Sequence, residues 1–317
     1  PSGSTFELQD CFVSRPKNRG ITSIGSGCQG MLIDRCQFLS AEEPLDVDQR
    51  VSIALNVNAN DVKLRDCRAT KFRHFALLNG QNHLVKGNHF FQGDGVSNGL
   101  RTAGLVLMEN FTSSVVTGNY VDNCFIEWTN ERDPTPAFTS GFSFSSLSIT
   151  DNVFLSGDVA PWFSYFVVKP FAAGHFLNGV TVSGNRFRSI NGKIDRAERV
   201  DTSFADLDYN RNREVYFDGN SYHNVSEQAH NPLIVAHNNN NNSKIWTVGT
   251  AKQLPFESYC MFVDSVALTS DMRDSSNVKR YETPVAKGRV GAKKDAFSLE
   301  FSTALRGQIR ATVRMDK

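Results

Sequence analysis

Val180-Thr181-Val182-Ser183-Gly184-Asn185, with Phe187 two positions further on, is the clearest copy of a pattern that returns eight times. The pattern reads apolar, any, apolar, any, then Gly or a polar residue, then Asn or Cys. Its last position falls at Cys11, Cys36, Cys67, Asn88, Asn119, Asn152, Asn185 and Asn220, spaced by 25, 31, 21, 31, 33, 33 and 35 residues. Three positions earlier the residue is always apolar: Leu8, Ile33, Leu64, Val85, Val116, Ile149, Val182 and Phe217. Two positions later it is usually large, as in Phe38, Phe90, Phe154, Phe187 and Tyr222.

Alternation with period two makes each copy a strand with one buried face. The Gly-Asn or Asp-Asn that follows supplies a bend that accommodates positive φ and where a side-chain amide can bond backbone. A period near 30 leaves room for three short strands per coil, and stacked coils bury each other's inner faces. The reading is therefore an all-β, right-handed parallel β-helix of about eight coils, roughly 40 Å long at about 4.8 Å per coil. Leucine-rich repeats need a Leu framework that is absent, and helical repeats need a 3.6-residue period. A second strand per coil is read in Phe75–Leu78, Gly104–Leu107, Cys124–Trp128 and Phe166–Val168. The longest insertions are 129–146, 155–179 and 188–213; in solenoids these collect on one face, commonly the binding face.

The repeat stops after Tyr222. Residues 1–230 are thus assigned to the β-helix and 231–243, with the run His237 through Asn242, to a polar linker. Residues 244–317 return to strand-like segments such as Ile245–Val248, Phe297–Phe301 and Ile309–Arg314, read as a small β-sandwich or prism for capping or trimerisation.

Composition narrows the function classes. Thirty-four basic and 33 acidic residues leave a net charge of +1, without the basic footprint of a nucleic-acid binder. No apolar run reaches the length of a membrane-spanning helix, so no membrane insertion is expected. The six cysteines form no CxxC pair and read as free, largely buried thiols; neither metal nor cofactor is implied. The first residues carry neither an initiator Met nor a signal pattern, and the chain reads as a piece whose upstream part is missing.

The insertions mix aromatics with carboxylates and Arg, which suits sugar rings and their hydroxyls. Trp128, Glu131, Asp133, Trp162, Tyr165 and Arg196 are the candidate glycan-binding residues, expected on one elongated face. Each has a plainer alternative: Trp128 ends a strand and equally fits packing, while Asp206 and Asp208 read as solvated charge before a hydrolytic pair. His175 in Gly174-His175-Phe176 reads as structural, as do His74, His83 and His89. Polygalacturonase motifs are broken, the acidic Glu42–Asp48 cluster sits in a Pro-containing turn, and no nucleophile elbow or P-loop is present. No catalytic residue is assigned, and the sequence leans away from an enzyme.

Residues 1–225 resemble the pectate-lyase superfamily of β-helix proteins. More narrowly, Gly99–Leu107, Thr117–Glu131, Gly157–Trp162, Ala304–Gly307 and Val313–Asp316 resemble the head-spike fibres of alphaproteobacterial gene transfer agents, which are phage-like particles. That resemblance implies a homotrimeric virion-type spike that binds bacterial capsular polysaccharide, attached to a spike-base or capsid protein through the missing N-terminal part. It places the protein outside the cell on a particle surface after synthesis in the cytoplasm. The alternative is a capsule depolymerase, lyase or hydrolase, on the same scaffold; a bare structural shaft explains the aromatic insertions less well. The 24 Phe residues point to rings on outer faces and so to association.

Overall fold

The computed structural model describes residues 5–23, 25, 27–42, 44–93, 101–133, 136 and 143–317. Glu43, the Gly99-Leu100 start of one resemblance run and residues 134, 135 and 137–142 of the 129–146 insertion lie outside them. Three long parallel sheets form a β-helix: eight strands from Glu7–Gln9 to Arg213–Asp218, eight from Phe12–Ser14 to Ser221–His223, and seven from Arg19–Thr22 to Glu198–Val200.

The quoted repeat builds the first sheet. Leu8 pairs with Ile33, Ile33 with Leu64, Leu64 with Val85, Val85 with Val116, Val116 with Ile149, and Ile149 with Val182. All eight column residues are buried except Leu8, which is partly exposed. Burying each such side chain contributes about 1.5–3 kcal/mol.

The bend after each strand is uniform. The residue before every Asn or Cys has positive φ: Asp10, Arg35, Asp66, Gly87, Gly118, Asp151, Gly184 and Gly219. Gly184 has a second reason to be glycine, since a Cβ there would lie 2.3 Å from Asp151 Oδ1 in the coil before. Inside the bend the side chains stack. Asn119 donates its backbone N–H and its Nδ2 to Asn152 Oδ1, and Asn152 donates the same pair to Asn185. Each Nδ2 also reaches a strand carbonyl, as Asn152 does to Val116 O at 3.0 Å. Cysteine takes this place in the early coils: Cys36 N–H points to Cys67 Sγ at 3.4 Å, and Cys67 N–H donates to Asn88 Oδ1 at 2.9 Å. All six cysteines are free; Cys11 is partly exposed and the other five are buried. Beyond the bend the large residues stack, Phe154 on Phe187 at 5.0 Å and Phe187 on Tyr222 at 5.7 Å.

The chain divides into two compact units, 1–208 with 219–228, and 209–218 with 229–317. The second holds one four-stranded antiparallel sheet rather than the two faces of a sandwich. Its central strand, Ala296–Arg314, pairs with Leu233–Gly249 on one side and with Phe262–Leu268 and Val285–Val290 on the other. The expected polar linker 231–243 is therefore corrected: from Leu233 onward it is strand. Asn238 pairs with Gln308 and Asn239 with Gly307, so the partner strand satisfies the backbone whatever the side chains are. Trp246, Phe297, Leu299 and Phe301 form this unit's core, with the Trp246 and Phe301 rings 4.9 Å apart. Asn231 fastens its ends, donating to Val215 O and Asp316 Oδ1 while accepting from the Met315 N–H.

Candidate functional site

The third sheet decides which insertion residues face outward. Its register stacks Leu55, Ala76, Leu105, Ile126, Phe166 and Glu198 in one column. Val57, Leu78, Leu107, Trp128 and Val168 form another two residues along. Every member of both columns is buried, so both point inward. The column between them alternates to the opposite face: Asn56, Leu77, Val106, Glu127, Val167 and Arg199, of which Asn56, Val106 and Val167 are covered and Leu77, Glu127 and Arg199 partly exposed.

Burial corrects half of the expected glycan face. Trp128 lies inside, 0% exposed, with its ring edge-on to Phe144 and its indole N–H donated to Glu109 O at 2.7 Å. Tyr165 is equally buried, its hydroxyl donating to Arg188 O at 2.6 Å. Arg196 is enclosed between Glu198 and Glu227, with Nη1 2.7 Å from Glu227. None of the three presents a face to a sugar. Of the remaining candidates, Glu131 is exposed and Asp133 partly so. Trp162 is 52% exposed, beside Phe163, whose ring meets Phe125 edge-on. His175 is buried, contacting Ser143 Oγ through Nδ1 and Pro136 O through Nε2, which braces the insertion from inside.

On the outward face the last coils carry a different group. Phe171 and Phe204 stack at 4.1 Å and 20°, Phe204 is 59% exposed, and Lys169 Nζ lies 5.5 Å over each ring. Glu127, Arg199 and Asp201 adjoin this platform and are all partly exposed. Arg199 Nε is buried without a hydrogen-bond partner. Burial pushes the Glu127 carboxyl above the usual glutamate range; Lys169 and Arg199 oppose this, while the like charges of Asp201 and Glu131 add to it. Burial also acts to raise Asp201, yet the Ser203 hydroxyl at 2.5 Å and its backbone N–H, with Arg199 and Lys169, bring it below the usual aspartate value. Two carboxyls of opposite tendency thus share one face with an open aromatic platform. Chemically, that face can stack a pyranose ring, bond its hydroxyls and exchange protons with it.

Sequence reading missed Phe171 and Phe204, although their separation of 33 residues is within one of the 32-residue offset between the two third-sheet strands that precede them. Among the described residues no group of three or more His, Cys, Asp or Glu is disposed to hold a metal ion. Among the described residues no helix is long and apolar enough to cross a membrane.

No protein-family model matches the chain. No curated protein matches it either. Among solved structures, a mutant tailspike of E. coli bacteriophage HK620 in complex with a pentasaccharide is similar, at 10% identity and a TM-score of 0.36, over 96% of this chain and 69% of its own.

Proposed function

We propose that this protein is the receptor-binding spike of a phage-like particle, of the gene-transfer-agent head-spike kind, and that it adsorbs to bacterial capsular polysaccharide. The observation that carries the reading is the stacked Phe171–Phe204 pair, open to solvent and bordered by Lys169, Glu127, Arg199 and Asp201 on one sheet face. Aromatic rings flanked by charged and amide groups are what a sugar needs: a flat apolar face and hydrogen-bonding neighbours. Phe171 and Phe204 follow closely on the third-sheet strands Phe166–Lys169 and Glu198–Val200, whose mutual pairing limits the ordering that binding would cost. Trp162, Glu131 and Asp133 extend the contact. The working unit in this reading is a homotrimer on the particle surface, where three copies of a weak site gain avidity for a repetitive glycan.

The test compares fluorescently labelled protein on encapsulated cells and on a capsule-deficient strain of the same bacterium. Binding should fall at least tenfold without capsule, and Phe204→Ala should lower binding to encapsulated cells by a similar factor. Equal binding to both strains overturns the reading. Native mass measurement reads the assembly, and a monodisperse monomer at micromolar concentration removes the trimer.

A further inference from the structure

We propose that Cys11 and Cys36 form an oxidation site, where a small disulfide from solution converts the two thiols into one bond that staples the first coil of the β-helix to the second. The proposal stands apart from the glycan-binding reading and goes beyond it.

The pair follows from register. Gln9 pairs with Asp34 and Phe12 with Gln37, which sets Cys11 opposite Cys36 in the bend between those strands. Backbone hydrogen bonds join the two coils on either side, from the Asp10 N–H to Asp34 O at 3.1 Å and from the Gln37 N–H to Cys11 O at 2.9 Å. Register partners in neighbouring strands stand about 4.8 Å apart, inside the span of about 4.4–6.8 Å between Cα atoms that a disulfide bridges. The thiols are turned alike: Cys11 Sγ donates to Gln9 O at 3.1 Å and Cys36 Sγ contacts Asp34 O at 3.2 Å. Cys36 Sγ also lies 3.4 Å from Leu8 O, so it already leans on the coil that carries Cys11.

Access favours this pair over Cys36 and Cys67, which stack in the same way. Cys11 lines an open pocket of about 430 Å³ together with Asp10, Phe12, Arg35 and Gln37. A small disulfide fits there, whereas Cys67 is buried. The position also gives the bond a use. Among the described residues, the strands Glu7–Gln9, Phe12–Ser14 and Arg19–Thr22 each end their sheet, with a neighbour on one side only. The paired amide hydrogen bonds of the later coils are replaced here by weaker sulfur contacts, such as the Cys36 N–H to Cys67 Sγ at 3.4 Å. A covalent bond at this corner restrains the coil most able to fray.

In the first step the Cys11 thiolate attacks one sulfur of the small disulfide. The S–S bond breaks, one small thiolate leaves, and Cys11 carries a mixed disulfide. The Cys36 thiolate then attacks Cys11 Sγ and expels the second small thiolate. Two protein thiols are oxidised to one disulfide, one disulfide is reduced to two thiols, and the protons lost by Cys11 and Cys36 end on those thiols through solvent. Burial raises the Cys36 thiol above its ordinary value, so the second step is the slower and quickens as pH rises.

The test incubates the reduced, intact chain with oxidised glutathione at about pH 8 and maps the thiols by mass spectrometry of a non-reducing digest. The expected product is a peptide pair joined through Cys11 and Cys36 and lighter by two hydrogens. Amide exchange in residues 7–35 should slow about tenfold and return to its starting rate on reduction. Cys36→Ser should stop at the glutathione adduct on Cys11, and Cys11→Ser should give neither the cross-link nor an adduct on Cys36. Cys11 is partly exposed, so its variant tests the pair even if Cys36→Ser fails to fold. Thiols left free, a lasting glutathione adduct on Cys11 in the wild-type chain, or a Cys36–Cys67 link overturns the site. A Cys11–Cys36 bond that leaves exchange in 7–35 unchanged overturns the staple.

Discussion

Asn152 receives two hydrogen bonds from Asn119 on a single oxygen, one from the backbone N–H and one from the side-chain amide, each 2.9 Å long. The same pair of hydrogen bonds joins Asn88 to Asn119, Asn152 to Asn185 and Asn185 to Asn220. The stack therefore couples successive coils at their tightest bend.

Asn152→Ala strands the buried backbone N–H of Asn119 and one hydrogen of its side-chain amide, while Nδ2 keeps Val85 O, and it also removes the Asn152 amide from Val116 O and Asn185 Oδ1. At about 1–3 kcal/mol for each unsatisfied group, it should cost about 3–5 kcal/mol in chemical denaturation. Asn242→Ala, on an exposed part of the C-terminal unit, should stay within about 0.5 kcal/mol. A similar small loss for both would mean the stack is ornamental.

The cysteines give a second check on the same bend. Burial pushes the thiols of Cys67 and Cys260 up to about 12 and raises Cys124 further, while Cys11 is partly exposed. Native protein at pH 8 should react quickly with a thiol reagent at Cys11 and slowly elsewhere, and all six should react once unfolded. Rapid native labelling of three or more thiols would contradict the packing.

Acid should destabilise the β-helix through its buried imidazoles. Burial holds His83 at about 4, from an ordinary 6.5. The unfolded chain takes the proton first, so the full stability is present above 6.5 and is lost progressively as pH falls toward 4. The span is worth about 3 kcal/mol for this one group. In His83→Leu the stability difference between pH 7 and pH 4.5 should shrink by about 2–3 kcal/mol, read from urea midpoints. An unchanged difference would show that His83 does not titrate as a buried base.

Trp128 and Trp162 separate packing from surface. Trp128→Ala empties an inward column and should cost about 3–5 kcal/mol. Trp162→Ala should change stability by no more than about 0.5 kcal/mol. The reverse order would place the third sheet inside out.

The β-helix was legible because its bend demands particular residues. Positive φ before each Asn or Cys, and apolar Ile33, Leu64 and their equivalents three positions earlier, leave a spaced signature that insertions cannot erase. Of the strand Leu233–Gly249 only the end at Ile245–Val248 was legible, because antiparallel pairing with Ala296–Arg314 tolerates a row of Asn before it that resembles a tether. At the site, aromatic character alone misled: Trp128 and Tyr165 belong to the interior. Parity was the stronger guide, since Ile126 and Trp128 flank Glu127, and inward neighbours on both sides force the carboxyl outward. Phe171 and Phe204 needed the coil period to be recognised as stacked.

The central claim is that glycan meets the protein on the outward face of the third sheet at its last coils. Hydrogen–deuterium exchange of the intact protein, with and without saturating capsular polysaccharide, measures this directly. Protection is predicted in 127–131, 169–171 and 199–204, with the C-terminal sheet unchanged. Protection confined to other coils or to residues 233–317, with that face exchanging as before, would contradict it.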